Sequence, residues 1–358
     1  MKVRFCNKNN ITFLAQNGGS GWSSSLRLGP DGVIINLHGL NQVTFNSART
    51  QATIGGGTII SEAIEAAFNS NAQLTTGNCN CVGVLGAILG GGYGNLMGLT
   101  SFGIDRLLSV NYVNANGNLA TVTPNQTDIW WALRGAGPNF GIVTSAVVKS
   151  TYVAQAESTA WLGSLIFTQD KLESVVSAIN NIYIEPEMNV FLYFVISESK
   201  PAILVTPFYY GNDTATARKK FASILNIGPA EDTTAVTPYN HWNDGAETFC
   251  IRGGRKPTYG AGMQQLIPSA WRAVWNEFVN FTSNPGTEQT IILMEAYSLT
   301  NRAVSLDSTA SFPYRQVPFN AAAIAWYANA SLDLVAEAFG NKVRDLWWNN
   351  DDIVGNVR

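Results

Sequence analysis

The chain has 358 residues and a formal net charge of −3, with 46% hydrophobic residues and only 13% charged residues. Soluble domains carry roughly 25% charged residues, so this chain has about half the usual share. Low hydrophobicity with high net charge would mark a disordered chain, and a basic run would mark a nucleic-acid binder; neither is present. A length of this order accommodates two domains of about 100–200 residues each.

The first 150 residues alternate short strands with helices. Residues 11–16 (ITFLAQ) read as a strand ending in the turn Asn17-Gly18-Gly19, and residues 33–37 and 51–54 as short buried strands. Residues 58–68 (TIISEAIEAAF) form an amphipathic helix with Ile59, Ala63, Ala66 and Ala67 near one face, started by Gly57 and Thr58. The runs 107–115 and 119–122 flank Asn116-Gly117, a hairpin signal. A helix over 128–133 and a strand over 142–149 follow.

Beyond residue 150 glycine thins out and aromatic residues rise. Residues 152–167 read as one strand, 169–182 as a helix, and 189–197 with 202–210 as paired strands. Helices are expected over 214–225 and over 268–281, where Trp271, Trp275 and Phe278 share a stripe. Strands are expected over 290–297 and 321–327, and a helix over 331–347. Long strands with helices on one side predict an antiparallel α+β layer.

Residues 66–104 contain no charge, and residues 82–99 (VGVLGAILGGGYGNLMGL) are long enough to span a bilayer. The triple glycine and Asn95 break that run. A buried loop-and-turn segment meeting a ligand is the better reading, because glycine lets backbone approach closely. The opening MKVRFCNKNNITF lacks the apolar stretch of a signal peptide.

Common motifs fail on inspection. Gly90-Gly91-Gly92-Tyr93-Gly94-Asn95 misses the last glycine of a dinucleotide fingerprint, and residues 135–141 have the wrong spacing. There is no Gly-Lys dipeptide for a phosphate loop, no HExxH and no GxSxG. Two histidines, His38 and His241, cannot build a histidine-rich metal site, so no metal is expected. Cys79 and Cys81 are too close for an ordinary disulfide, and Cys81 reads as a small buried residue.

What remains is an ordered set of glycine clusters: residues 16–22 (QNGGSGW), 55–57, 77–94 (GNCNCVGVLGAILGGGYG) and 135–143 (GAGPNFGIV), with Gly103-Ile104-Asp105. These resemble the FAD-binding domain of the vanillyl-alcohol oxidase and p-cresol methylhydroxylase superfamily. Within it, the chain is similar to fungal berberine bridge enzyme-like oxidoreductases. Residues 295–298 (EAYS), 311–315 (SFPYR) and 324–327 (IAWY) are similar to that family's substrate domain.

The resemblance implies a two-domain α+β flavoprotein, short at both ends: an FAD-binding domain over 1–150 lacking the family's first strand region, a substrate domain over 151–328, and a truncated C-terminal helix over 329–358 returning toward the FAD domain. It implies FAD held by Gln16, Asn17, Gly18, Gly19 and Ser20, and by Gly77, Cys79, Val82, Gly83 and Gly86. Gly91, Gly92, Gly94 and Asp105 complete that side, with Gly141, Ile142 and Val143 opposite. A pyrophosphate needs several backbone N–H donors at close range, which a Gly-Gly turn supplies.

Members that attach FAD twice use a histidine where this chain has Ser20, so a histidyl link is excluded; a single thioether through Cys79 is left open. The resemblance implies oxidation of a small molecule, such as a polyketide or alkaloid intermediate, with oxygen as acceptor. No nucleic-acid or membrane partner is expected. Relatives are often secreted. The position holding a glutamate in many plant relatives is Ala321 here, so Glu295 is taken as the proton acceptor and Tyr327 as a phenol donor. Tyr93 and Tyr297 are further phenols. The alternatives are a cyclase or inactive truncated paralogue on the same fold, and a carbohydrate oxidase or binding protein. The latter would rest on the ten Trp and twelve Tyr.

Overall fold

The computed structural model describes residues 1–21, 26, 28–300 and 309–350; Trp22 of the first glycine cluster and the end of the expected 329–358 segment lie outside them. The chain forms two compact units. The first comprises Met1–Thr159, Pro238–Ile251 and the described part of Asn301–Arg315; the second comprises Ala160–Thr237, Arg252–Thr300 and the described part of Gln316–Arg358. The expected boundary at 150 falls a few residues early. Two later segments also rejoin the first unit, so neither unit is a continuous stretch of sequence. Tyr239 shows how: its hydroxyl donates to the Leu74 carbonyl at 3.2 Å, inside the first unit.

The first unit carries a five-stranded antiparallel sheet in the order Val43–Phe45, Gln51–Gly55, Ile142–Lys149, Leu107–Val113, Leu119–Val122. A parallel pair, Phe13–Gln16 and Val33–Asn36, stands apart. The expected hairpin closes at Gly117, whose φ of +74° a side chain would disfavour. The helix Ile60–Asn69 buries Ile60, Ala63, Ile64 and Ala67. Its start is not capped by Thr58: the Ile59 N–H donates to the Glu62 carboxylate at 3.0 Å. A further helix, Lys2–Lys8, buries Val3 and Cys6.

No helix among the described residues is long and apolar enough to cross a membrane. The uncharged run 82–99 instead holds two short helices, Val84–Ile88 and Met97–Thr100.

The second unit is built on one antiparallel sheet. Its main path runs Glu231–Asp232, Leu165–Phe167, Lys200–Tyr210, Met188–Ser197, Ile291–Tyr297, Phe319–Ile324, Thr258–Met263. The expected single strand over 152–167 is broken. Thr151–Tyr152 pairs with Ala72–Gln73 in the first unit, whereas Thr159–Leu162 and Leu165–Phe167 both pair with Lys200–Tyr210. Gly163, with φ +153°, lies in the break.

Alternation along the strands sorts the side chains. Val190, Leu192 and Phe194, with Ile292, Met294 and Ala296, join a core with the helices Leu172–Asn181, Pro268–Thr282 and Asp333–Asn349. The expected stripe of Trp271, Trp275 and Phe278 is buried there; the Phe194 ring meets Trp275 edge-on at 5.0 Å. The closing helix, expected to return toward the FAD domain, packs within the second unit: Phe339 stacks on Phe281 at 4.4 Å, and Val343 and Trp347 join the same core. Its apolar stripe is consumed by this sheet's helical layer.

Candidate functional site

In the first unit, two of the glycine loops meet. A Cβ on Gly18 would lie 2.5 Å from the Cys81 carbonyl oxygen and 2.7 Å from the Gly83 nitrogen, and one on Gly83 would lie 2.6 Å from Asn17 Nδ2. Gly18 must be glycine for its backbone to touch residues 81–83, whereas Gly83 makes room for the Asn17 side chain. Asn17 Nδ2 donates to the Thr58 carbonyl at 2.8 Å. Asn17 Oδ1 is buried and has no hydrogen-bond partner among the described residues. Gly19 and Ser20 are exposed beside it, and Gly86 faces open space. Gln16 ends its strand, its carbonyl accepting from Leu37 N–H.

At other predicted cofactor positions the glycines pack closely on protein. A Cβ on Gly91 would meet the Phe312 ring at 2.8 Å, and one on Gly92 would meet Gly103 at the same distance. Gly94 lies against the Thr76 carbonyl, and Gly141 against Val113 and Tyr112. Internal close packing by itself requires glycine at these positions. Gly77 accepts a bond at its carbonyl from Asn243 Nδ2 at 3.3 Å. Val82 lies in the turn closed by its N–H to the Cys79 carbonyl. Ile142 and Val143 begin a sheet strand, with Val143 buried.

Asp105 departs most from its expected role. Arg315 Nη2 donates to its Oδ1 at 2.7 Å and Nη1 to its Oδ2 at 2.8 Å; Arg134 Nη2 adds a bond to Oδ1 at 2.9 Å, and the Ser101 hydroxyl donates to Oδ2. The two arginine side chains are 3% and 5% exposed. The carboxylate is therefore saturated as the centre of a buried charge cluster, which ties residue 315 to the first unit. Two buried cations would be untenable without it.

The cysteines also depart from expectation. Cys81 is bonded to Cys250 across 169 residues. Cys79 is a free, half-buried thiol. Burial pushes its pKa up, a backbone bond at Cys81 opposes this, and the nearby Glu247 charge raises it further. Nothing local in sequence announces a partner so distant.

In the second unit, the sheet face opposite the helices carries polar chemistry. Glu295 pairs with Phe191 on one side and Asn320 on the other. Tyr297, two residues along on the same face, donates its hydroxyl to Glu295 Oε2 at 3.0 Å, and its ring meets Phe191 at 5.3 Å. Burial lifts the Glu295 carboxyl from its ordinary 4.5 to about 7, against the opposing bond from Tyr297. Asn320 Nδ2 is buried and unpartnered among the described residues. Nothing local in the sequence singles out Asn320. Its register opposite Glu295 is what brings it in, whereas Ala321 points into the helical core.

Tyr327 does not belong to this face. It lies in the helix-side core, and its hydroxyl donates to Asp333 Oδ1 at 2.8 Å, which in turn pairs with Arg255. Burial and the Asp333 carboxylate push the phenol up to about 12. It is a structural hydrogen-bond donor, not a partner of Glu295. Tyr93 donates to the Tyr314 carbonyl in the first unit.

Comparison with known proteins gives a consistent result. A family described as "FAD binding domain" matches residues 2–123. The chain is similar to the FAD-linked oxidoreductase chry5 of Gibberella zeae, with 31% identity over 366 residues, covering 96% of this chain and 71% of that protein. It is 30% identical over 325 residues to the FAD-linked oxidoreductase OXR1 of Pyricularia oryzae, covering 87% of this chain and 63% of that one. The chain thus spans less than two thirds of the length of OXR1. In fold it is similar to Physcomitrella patens BBE-like 1, with a TM-score of 0.81 at 18% identity, covering 98% of this chain and 78% of that one.

Proposed function

Given that the chain belongs to the family of berberine bridge enzyme-like FAD-linked oxidoreductases, we propose that it binds FAD in its first unit and removes two electrons from a small molecule, with Glu295 as the proton acceptor. The observation that carries this reading is Glu295 itself. It is a carboxyl lifted to about 7 by burial, bonded by Tyr297 and placed opposite the unpartnered amide of Asn320.

The first unit's residues fit the cofactor. Where Gly18 and Gly83 touch, the loop backbones are bare of side chains, and exposed Gly19 and open Gly86 leave N–H groups available to a pyrophosphate. FAD held there would supply a hydride acceptor whose electrons would pass on to oxygen. Cys79 would hold the group by one thioether, and Ser20 offers no nitrogen for a second link. On the sheet face, the rings of Phe191, Tyr193 and Tyr297 pack into one aromatic group. Such a group suits a polyketide or alkaloid intermediate, to which Asn320 Nδ2 would donate a hydrogen bond. Tyr297 orients the Glu295 carboxylate, and burial keeps its basicity near neutral pH.

The direction with pH follows. Glu295 is ionised, and able to accept a proton, only as pH rises through about 7. Because its folded pKa is raised, ionisation opposes the fold, and stability declines as pH climbs from its ordinary 4.5 through about 7. The test is anaerobic bleaching of the flavin band with a panel of phenolic polyketides, alkaloids and sugars. Glu295→Gln should keep the yellow colour, slow bleaching about 10²–10⁴-fold and lose the rising limb near pH 7. Unchanged rate and limb in this variant would remove Glu295 from the chemistry, whereas folded protein without flavin would refute the cofactor assignment.

A further inference from the structure

We propose that Cys79, Cys81 and Cys250 form a thiol–disulfide exchange site in which Cys250 bonds to either of the other two, so that the position of one disulfide decides whether the Cys79 thiol is free. Three sulfurs meet at one point. Cys79 Sγ lies 3.7 Å from Cys81 Sγ and 3.9 Å from Cys250 Sγ, and Cys81 and Cys250 are bonded. All three lie within 4.8 Å of one another and are half-buried.

The step balances without an external oxidant. The Cys79 thiol gives up its proton, and its sulfur attacks Cys250 Sγ. The Cys79–Cys250 bond forms as the Cys81–Cys250 bond breaks, and Cys81 leaves as a thiolate and takes up a proton. Attack on Cys81 instead would bridge two residues separated only by Asn80, within a tight turn, which strains the bond. Cys250 is therefore the favoured electrophile.

The scaffold is held in place while the bond moves. Asn80, between the two cysteines, donates its side-chain amide to Glu247, three residues before Cys250. Asn243 donates to the Gly77 carbonyl from the same segment. These two hydrogen bonds keep the strands of the cluster together with the disulfide open. Burial and the Glu247 charge, the charged group acting on Cys79, keep its thiol protonated near neutral pH, so exchange is slow there and accelerates with pH.

The consequence for the cofactor rests on the flavin reading above. A thioether to FAD forms only from a free Cys79, so the Cys81–Cys250 isomer is the one competent for attachment. Cys250 then acts as a competitor that the Cys81 bond keeps occupied.

The experiment uses the full, never-reduced chain, held at pH 7 and pH 9, quenched at pH 6 with N-ethylmaleimide and digested. Fragmentation locates the maleimide on Cys79 or Cys81. Only molecules without a flavin thioether report, because a flavinylated Cys79 has no thiol to exchange or label, so a failure of the cofactor reading leaves this test intact. The expected result is a maleimide on Cys79 at the start and a growing share on Cys81, appearing about tenfold faster per pH unit below the thiol pKa. Label on Cys79 alone at every time and pH overturns the proposal. Cys81→Ser should carry a Cys79–Cys250 disulfide, with Cys6 as its one free thiol; free Cys79 and Cys250 in that variant overturn it too. If flavin is bound, Cys81→Ser should release its colour on acid precipitation. Colour that stays with the precipitate overturns the control over attachment.

Discussion

The two units reach order by opposite means. In the first, backbone meets backbone: Gly18 touches residues 81–83, Gly92 touches Gly103, and Gly94 lies against the Thr76 carbonyl. In the second, side chains do the work, with Trp271, Trp275, Phe194 and Phe278 filling the space between sheet and helices. A position is therefore intolerant for different reasons in the two halves. In one, any added atom collides with main chain; in the other, any removed atom leaves a cavity.

That contrast yields graded expectations. Trp271→Ala should cost the most, about 4 kcal/mol, because a fully buried ring leaves a cavity that its aromatic neighbours cannot fill. Denaturant unfolding measures it, and a loss below about 1 kcal/mol would mean the second unit's core collapses around the gap. Asp105→Ala follows, at about 3 kcal/mol, since it strands Arg134 and Arg315 in the interior of the first unit. Returning the cluster to its native net charge with a second change, Arg315→Met, should recover part of that loss; no recovery would show that the charges are not the cause.

Gly18→Ala should cost about 2 kcal/mol, the usual range for overpacking. Unlike the first two, it should also reduce the flavin retained on gel filtration, because the loops must part to admit the methyl group. Full flavin retention in a folded variant would separate the contact from cofactor binding. Smallest is Tyr327→Phe, at about 1 kcal/mol for one hydrogen bond to a partly exposed Asp333. The pH limb near 7 should be untouched; if it moves, Tyr327 is coupled to Glu295 despite lying on the other side of the sheet.

Much of this architecture is legible in short stretches of the chain. The hairpin at Asn116-Gly117, the aromatic stripe over 268–281 and the paired strands ending at Ser197 and beginning near Ala202 are local patterns, and each forms where its pattern lies. The meeting of glycine loops is legible in outline as well. What the clusters do not reveal is which neighbour each glycine packs against. Gly91 and Gly92 carry the same composition as Gly18, but their neighbours are Phe312 and Gly103, which no local window contains. Asp105 resembles a cofactor residue for the same reason, its two arginine partners lying 29 and 210 positions away.

Sequence alone determined the element types, the α+β class and the family, because periodicity, turn residues and ordered glycine clusters are properties of short stretches of chain. Only the tertiary structure decided which side chains share a face or a cluster. The pairing register set Asn320 opposite Glu295 and sent Tyr327 to the helical core. Chain return over 169 residues set Cys250 against Cys81. Burial, which lifts Glu295 to about 7, is likewise a property of the packed whole, because desolvation depends on which distant segments displace water from the carboxyl.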